Sequence, residues 1–324
     1  MPGRPRLILH IGHPKCASTT VRSLLWNNRA RLAEAGCYFV GDDFRIAPGN
    51  DIAGWPLWFI EKAAGPAELS EALLNKLAEL DSVKTLVVSA ENLIHPATAA
   101  KLDRLVSSLE TSVIYYMRRQ DHFLVSSWRQ WALKRGTGFM HHVLRRVAER
   151  KPDFAGTLAL WEHRVGRDNI HARFIDPLFL DGGNLPADLF AALGMDIPDP
   201  VPADRDNTSP DRAILIYLQA NAHLFASDHD DEPIRRMAIL DEGPVRRLTM
   251  DRHLQKSVIL AYEKTNQAIL ATYGRKEDHG KQVIMAEGEA AAGEYQLTLE
   301  DQIRIGRILA KLDHGRSHET GDGG

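Results

Sequence analysis

Between Leu7 and Leu25 the chain reads LILHIGHPKCASTTVRSLL, and these residue types suit the holding of an anion. Lys15 stands three residues after Gly12 and is followed by Cys16, Ala17, Ser18, Thr19 and Thr20, all small or hydroxylated. The apolar run Leu7–Ile11 predicts a buried strand, and Gly12-His13-Pro14 predicts a turn. Val21, Leu24, Leu25 and Leu32 then recur at helical spacing. Strand, tight basic loop and helix together make an anion cradle. The first backbone N–H groups of a helix have no partner inside it, and the helix dipole favours negative charge there. Small side chains let an anion approach that backbone, and Lys15 adds a full positive charge. The ligands expected are phosphate or sulfate esters.

The elements that must position this loop follow from the rest of the pattern. Strands are expected at 7–11, 37–40, 84–89, 112–117 and 170–175. Helices are expected from the loop to about Ala35, with Gly36 as a stop, and over 68–80, 97–109, 120–134, 143–149 and 154–165. Further helices are expected from Ser209-Pro210 past Leu218 and over 250–273. Thr298-Leu299-Glu300-Asp301 reads as the capped start of a short final helix. Strands alternating with helices predict an α/β fold, a mostly parallel central sheet flanked by helices. The expected organisation is a core over 1–220, a helical carboxyl-terminal extension over 221–312 in the same domain, and a disordered tail over 313–324.

Composition narrows the function classes. The 324 residues are 44% hydrophobic and 26% charged, ordinary for a soluble globular protein. A formal charge of −3 gives no electrostatic case for nucleic acid. Two cysteines, Cys16 and Cys37, are too few for a disulfide framework, so reduced thiols and a cytoplasmic location are expected. No stretch approaches the length of a membrane span. Any membrane association is expected to come through an amphiphilic substrate. The fourteen histidines form no recognisable metal site. Oligomeric state is not legible.

The loop departs from the usual nucleoside triphosphate pattern, Gly-x-x-x-x-Gly-Lys followed by Ser or Thr. No Gly-Lys-Ser/Thr follows Lys15, so the hydroxyl that would hold Mg²⁺ is out of its usual place. The strand at 84–89 leads into Ala90-Glu91 rather than into an aspartate placed for a metal. A second constellation lies further on. The strand Val113-Ile114-Tyr115-Tyr116-Met117 ends in Arg118, and Ser126 follows eight residues later inside a helix. A strand end brings a guanidinium to the carboxyl edge of the sheet, where open α/β sheets bind ligands, and its planar fork suits a phosphate.

These two motifs, in this order, resemble those of the sulfotransferases that use 3′-phosphoadenosine 5′-phosphosulfate (PAPS), which have a P-loop-like α/β fold. His13-Pro14-Lys15-Cys16-Ala17-Ser18-Thr19-Thr20 resembles their 5′-phosphosulfate loop, with Ala17-Ser18-Thr19 where many members have Gly-Thr-Thr. Arg118 and Ser126 resemble their 3′-phosphate site. Ser89-Ala90-Glu91, the stretch from Trp161 to Ile175, and Asn207-Thr208-Ser209 resemble features of a bacterial branch acting on carbohydrates. The likeness covers about residues 7–220. It implies transfer of a sulfuryl group from PAPS to a hydroxyl or amine, with no metal and with a carbohydrate or glycolipid acceptor. Lys15 would neutralise charge on the bridging oxygen, and Lys15 to Thr20 would hold the 5′-phosphate. Arg118 and Ser126 would hold the 3′-phosphate, with Arg205 and Asn207 as further contacts. Glu91 is the first candidate for the base that takes the acceptor proton, His95 the second and His13 the third. Glu91 has an equal reading as a hydrogen-bonding residue that pins the loop. Asn207 and Ser209 most simply cap the next helix. Two other functions fit parts of the pattern: a P-loop kinase or NTPase, and a non-catalytic nucleotide-binding module.

Overall fold

The structure, a computed structural model, describes residues 5–47, 50–51, 54–80, 82–197, 199–203, 209–283 and 296–319, the side chains of 72 and 314–319 excepted. Its contacts divide the chain into two compact units, neither continuous in sequence. The first comprises Met1–Arg119, Asp153–Asp204 and Glu263–Val283; the second comprises Gln120–Pro152, Arg205–Tyr262 and Ile284–Gly324. The chain leaves the first unit directly after the fourth strand. It then takes its partners from much later in the sequence, as in the bond from Gln255 Nε2 to Asp121 Oδ2 at 2.6 Å.

The first unit holds a five-stranded, all-parallel sheet, as the alternation predicts. Its strands are β1 (Arg6–His10), β2 (Cys37–Phe39), β3 (Thr85–Ser89), β4 (Glu110–Met117) and β5 (Ile170–Phe174), in the order β2-β3-β1-β4-β5. β1 is central, and its last residue, His10, pairs with Ser89 of β3 and Ile114 of β4. The strand order reverses about β1, which makes the carboxyl edge there the natural ligand crevice.

Both faces of the sheet are covered, which explains why β1 reads as an unbroken apolar run. Leu7, Ile8, Leu9 and Ile11 are fully buried. On one face Ile8 and Ile114 pack with Val21, Leu24 and Leu25 of α1 (Ser18–Asn27) and with Leu189 and Phe190 of the helix Leu185–Leu193. On the other, Tyr115 meets Phe154 edge-on, and Phe154 meets Phe174 in the same way. Each large side chain so buried contributes about 1.5–3 kcal/mol.

The helix expected to run to Ala35 is broken at Asn28, whose φ of −105° and ψ of 14° end α1; α2 (Arg29–Glu34) follows. The Asn28 side chain competes with the helix backbone. Its amide donates to Leu24 O at 2.8 Å and Val201 O at 2.9 Å, and its oxygen accepts from Val201 N at 2.9 Å. The helix expected at 97–109 is also two, Pro96–Ala100 and Asp103–Ser108. The aromatic-rich stretch after Asp51 forms a short helix, Leu57–Lys62, in which Trp58 points outward at 60% exposed.

The second unit, by itself, is helical. The helix expected at 120–134 is regular only over Gln120–Ser127; a π-helical turn at Trp128–Ala132 and a tight turn at Leu133–Arg135 carry it to Gly136. The helix Arg212–Ala220 is capped by Asp211, which accepts from Ala213 N at 2.8 Å, and not by Ser209. Ser209 Oγ instead accepts from the Arg129 guanidinium at 3.4 Å. The helix Glu232–Leu240 was not expected. Thr298 and Asp301 exchange the two bonds of a capping box, at 3.2 and 3.0 Å, as predicted. The helix they open is long, Leu299–Glu319, so it passes through the start of the expected tail; residues 320–324 lie outside the described residues. No helix among the described residues is long and apolar enough to cross a membrane.

Candidate anion site at the carboxyl edge of the sheet

β1 delivers the chain to the site through Gly12. A Cβ on Gly12 would stand 3.0 Å from Ser18 Cβ, 3.1 Å from His10 Cε1 and 3.6 Å from Glu91 Cγ, so any side chain here would have to push its neighbours aside. Cys16 N donates to His13 O at 3.0 Å and tightens the turn. Lys15 and Ala17 then take left-handed conformations, with φ of 67° and 60°. For residues with a Cβ this costs about 1–2 kcal/mol each, and such strain gathers where a ligand is clamped. Ala17 thus adopts a conformation that glycine favours.

The first intrahelical bond of α1 runs from Val21 N to Ala17 O at 2.9 Å. The N–H groups of Ser18, Thr19 and Thr20 precede it and have no acceptor within the helix. No acidic residue stands in the first turn to offset the positive end of the dipole. Ser18 is buried, Lys15, Ala17 and Thr20 are half-buried, and Thr19 is exposed. Cys16 is fully buried, and burial pushes its thiol up to about 12 against the opposing pull of Arg118, so it fills space as a neutral group.

The sheet brings two further expected residues to this loop. Arg118 follows β4 directly, is half-buried, and donates to the backbone oxygen of Lys15 at 3.4 Å. Glu91 opens a tight turn, Glu91–Ile94, two residues after β3. Because β3 lies beside β1, Glu91 reaches the loop: its Oε1 accepts the Ser18 hydroxyl and lies 3.3 Å from an Arg22 nitrogen. The Glu91 side chain is 25% exposed. His95 is exposed where that turn ends and the helix Pro96–Ala100 begins. His13, the third candidate base, is turned into the core. Its Nδ1 lies 3.0 Å from Tyr115 Oη, and its ring meets Phe154 edge-on at 5.2 Å.

Two participants were not foreseen. Arg22 lies four residues past Ser18, one helical turn along the same face of α1, and that spacing was the available signal. His10, at the end of β1, shares a bond between Nδ1 and Ser89 Oγ at 2.8 Å. Burial, with Arg22 adding to it, pulls His10 down to about 3, so the ring is neutral; its Nε2 is buried without a partner among the described residues. Ser126 is half-buried in the second unit, on the helix Gln120–Ser127. Arg205 and Asn207 lie outside the described residues. Among the described residues, no group of three His, Cys, Asp or Glu side chains is placed to hold a metal ion.

No protein-family model matches the chain, and no curated protein matches it. Among solved structures it is similar to a sulfotransferase from Alicyclobacillus acidocaldarius, at 17% identity and a TM-score of 0.37, over 68% of this chain and 93% of that one. It is similar also to mouse sulfotransferase SULT7A1 complexed with PAP, at 13% identity and a TM-score of 0.36, over 61% of each chain. A third likeness is to the sulfotransferase domain from the curacin biosynthetic pathway, at 12% identity and a TM-score of 0.33, over 80% of this chain and 97% of that one. Likeness at this level is one of general architecture.

Proposed function

We propose that the protein is a sulfotransferase that moves a sulfuryl group from PAPS to a hydroxyl or amine, with a carbohydrate or glycolipid as the acceptor. One observation carries the reading: the lysine-bearing loop, the open amides of α1 and the Arg118 guanidinium converge at one edge of the sheet, where β1, β3 and β4 end side by side. That edge offers backbone donors, a lysine and an arginine, which suits a ligand carrying more than one ester anion.

In this reading the amides of Ser18, Thr19 and Thr20 hold the 5′-phosphate. Lys15 offsets the charge that grows on the oxygen between phosphorus and sulfur. Arg118 takes the 3′-phosphate; Ser126, Arg205 and Asn207 join the set from the sequence resemblance alone. The acceptor oxygen bonds sulfur as the bond from sulfur to the 5′-phosphate oxygen breaks, and the acceptor proton passes to Glu91. His95, being exposed, is the second choice for that proton. Such transfers depend on positioning and charge stabilisation rather than on covalent help from the protein.

A thermal shift series with adenosine 3′,5′-bisphosphate, AMP and ATP tests the reading, because stabilisation follows ligand concentration over Kd. The bisphosphate should stabilise most, and ³⁵S should pass from labelled PAPS to an acceptor without added Mg²⁺. Stabilisation by ATP with Mg²⁺ alone would transfer the protein to the kinase and NTPase class. Binding of the bisphosphate with no ³⁵S transfer to any hydroxyl or amine would leave a nucleotide-binding module.

A further inference from the structure

The Ser18 hydroxyl has one proton, and it goes to Glu91. A serine hydroxyl donates once, whereas a carboxylate and a phosphate ester only accept. Ser18 is also the first residue of α1, at the end that faces a loop-bound anion, and it is 4% exposed. One proton therefore cannot serve both Glu91 and a phosphate oxygen at the loop. Arg22 is under no such limit, since a guanidinium carries five N–H donors, and it keeps its place 3.3 Å from the same Glu91 oxygen.

Resting on the donor-site reading above, we propose that the bond between Ser18 and Glu91 is a switch thrown by the donor. An anion seated in the loop draws the Ser18 hydroxyl to itself. Glu91 then keeps Arg22, and its Oε1, released by Ser18, turns to the acceptor. No proton leaves Ser18; its O–H only changes partner, and the proton Glu91 takes up is the acceptor's. The release of Oε1 by Ser18 therefore follows the arrival of the donor. All three side chains come from the first unit, and their arrangement follows from β3 lying beside β1 and from the one-turn spacing of Ser18 and Arg22.

The test is the affinity for adenosine 3′,5′-bisphosphate, measured by titration calorimetry on the wild type, Ser18→Ala, Glu91→Gln and the double variant. If Glu91 competes with the ligand for the Ser18 proton, Glu91→Gln tightens binding, since a neutral acceptor competes less well than a charged one. The gain should be about 3- to 10-fold larger with Ser18 present than in the Ser18→Ala background, the span between neutral and charge-assisted hydrogen bonds. Ser18→Cys, a weaker donor of similar shape, should fall between them. An equal effect of Glu91→Gln in both backgrounds, or weaker binding on Glu91→Gln, would overturn the switch and leave Glu91 as a clamp on the loop. A wild type that binds no bisphosphate would bring down the donor-site reading itself, and the switch with it.

Discussion

Asp211 in the second unit and Glu91 in the first both accept bonds from arginine, but one is sealed and the other is open on one side. Asp211 has a fully buried side chain and accepts from Ala213 N, from the backbone and guanidinium of Arg246, and from Arg304, all between 2.8 and 3.1 Å. Around it Asp301 accepts from Arg246 at 2.7 Å and Arg212 at 3.2 Å, and Asp241 takes two bonds from Arg304 at 2.7 Å. Three carboxylates meet three guanidinium groups, so the charges cancel within the cluster. Glu91 is a quarter exposed and shares its one bonded oxygen between a hydroxyl and a guanidinium. The contrast teaches that a carboxylate with every lone pair engaged holds a fold together. One with a partner that another anion would also claim is free to change state.

The largest expected effect breaks the sealed side. Asp211→Asn leaves Arg246 and Arg304 without their shared charge and removes bonds from a buried cap. It should cost about 3 kcal/mol in urea-induced unfolding, the lower end for breaking a buried ion pair. Burial pushes Asp211 and Asp301 up, but for Asp211 the bonds from Arg246, from Ala213 N and the charge of Arg304 outweigh it, and for Asp301 the bonds from Thr298 and Arg246 do so; both carboxyls end below the usual value of 3.8. A carboxyl lowered in the folded state stabilises above its unfolded value and loses that contribution as pH falls through its folded one. Stability of the wild type should therefore decline as pH drops below about 4, and Asp211→Asn should flatten that decline. A loss under about 1 kcal/mol at neutral pH, the range of surface ion pairs, would show the cluster to be dispensable.

Next comes the open side. Lys15→Ala should lower turnover about 100-fold, the loss typical when one charge-stabilising donor is removed. Its effect on affinity for the bisphosphate should be smaller, because the charge it answers grows during transfer. Steady-state ³⁵S kinetics separate the two. If affinity alone suffered, Lys15 would be a ground-state anchor and the asymmetry between the two regions would be one of binding only. Arg118→Ala should weaken the bisphosphate by about 1.5–3 kcal/mol, the range for hydrogen bonds to charged groups, and leave AMP unchanged. Calorimetry with both ligands decides it; equal losses would remove Arg118 from the 3′-phosphate.

These two regions were not equally legible in the sequence. The loop, β1, β3 and β4 were, because the loop joins a lysine to small and hydroxylated residues and each strand is a short apolar run with a distinct end; strand adjacency then placed Glu91 and Arg118 at one edge. Arg22 was missed although it sits one turn from Ser18, because a helical arginine declares its partner only when the facing strand is known. The second unit's ion cluster was beyond reach. Asp211 and Arg246 are 35 residues apart and Arg212 and Asp301 are 89 apart, and no periodicity links charges across such gaps. Asp211 took the cap expected of Ser209 for the same reason: its carboxylate also answers Arg246. Asn28 broke a well-patterned helix through bonds to Val201, again a partner visible only in three dimensions.

The smallest expected effect sets one substitution against itself in the two regions. Ala17 is left-handed, with φ 60° and ψ 19°, whereas Ala132 is right-handed, with φ −72° and ψ −36°, and buried. Ala17→Gly removes about 1 kcal/mol or more of left-handed strain and returns about 0.4–1 kcal/mol of that as extra freedom in the unfolded chain. It should leave stability unchanged or raise it by about 0.5 kcal/mol. Ala132→Gly relieves no strain and adds the same unfolded freedom, so it should cost about 1 kcal/mol. Paired urea titrations would read the two signs. A cost at Ala17 equal to that at Ala132 would mean that the loop relaxes out of its left-handed form in solution. The open amides of Ser18, Thr19 and Thr20 would then be arranged by the ligand rather than waiting for it.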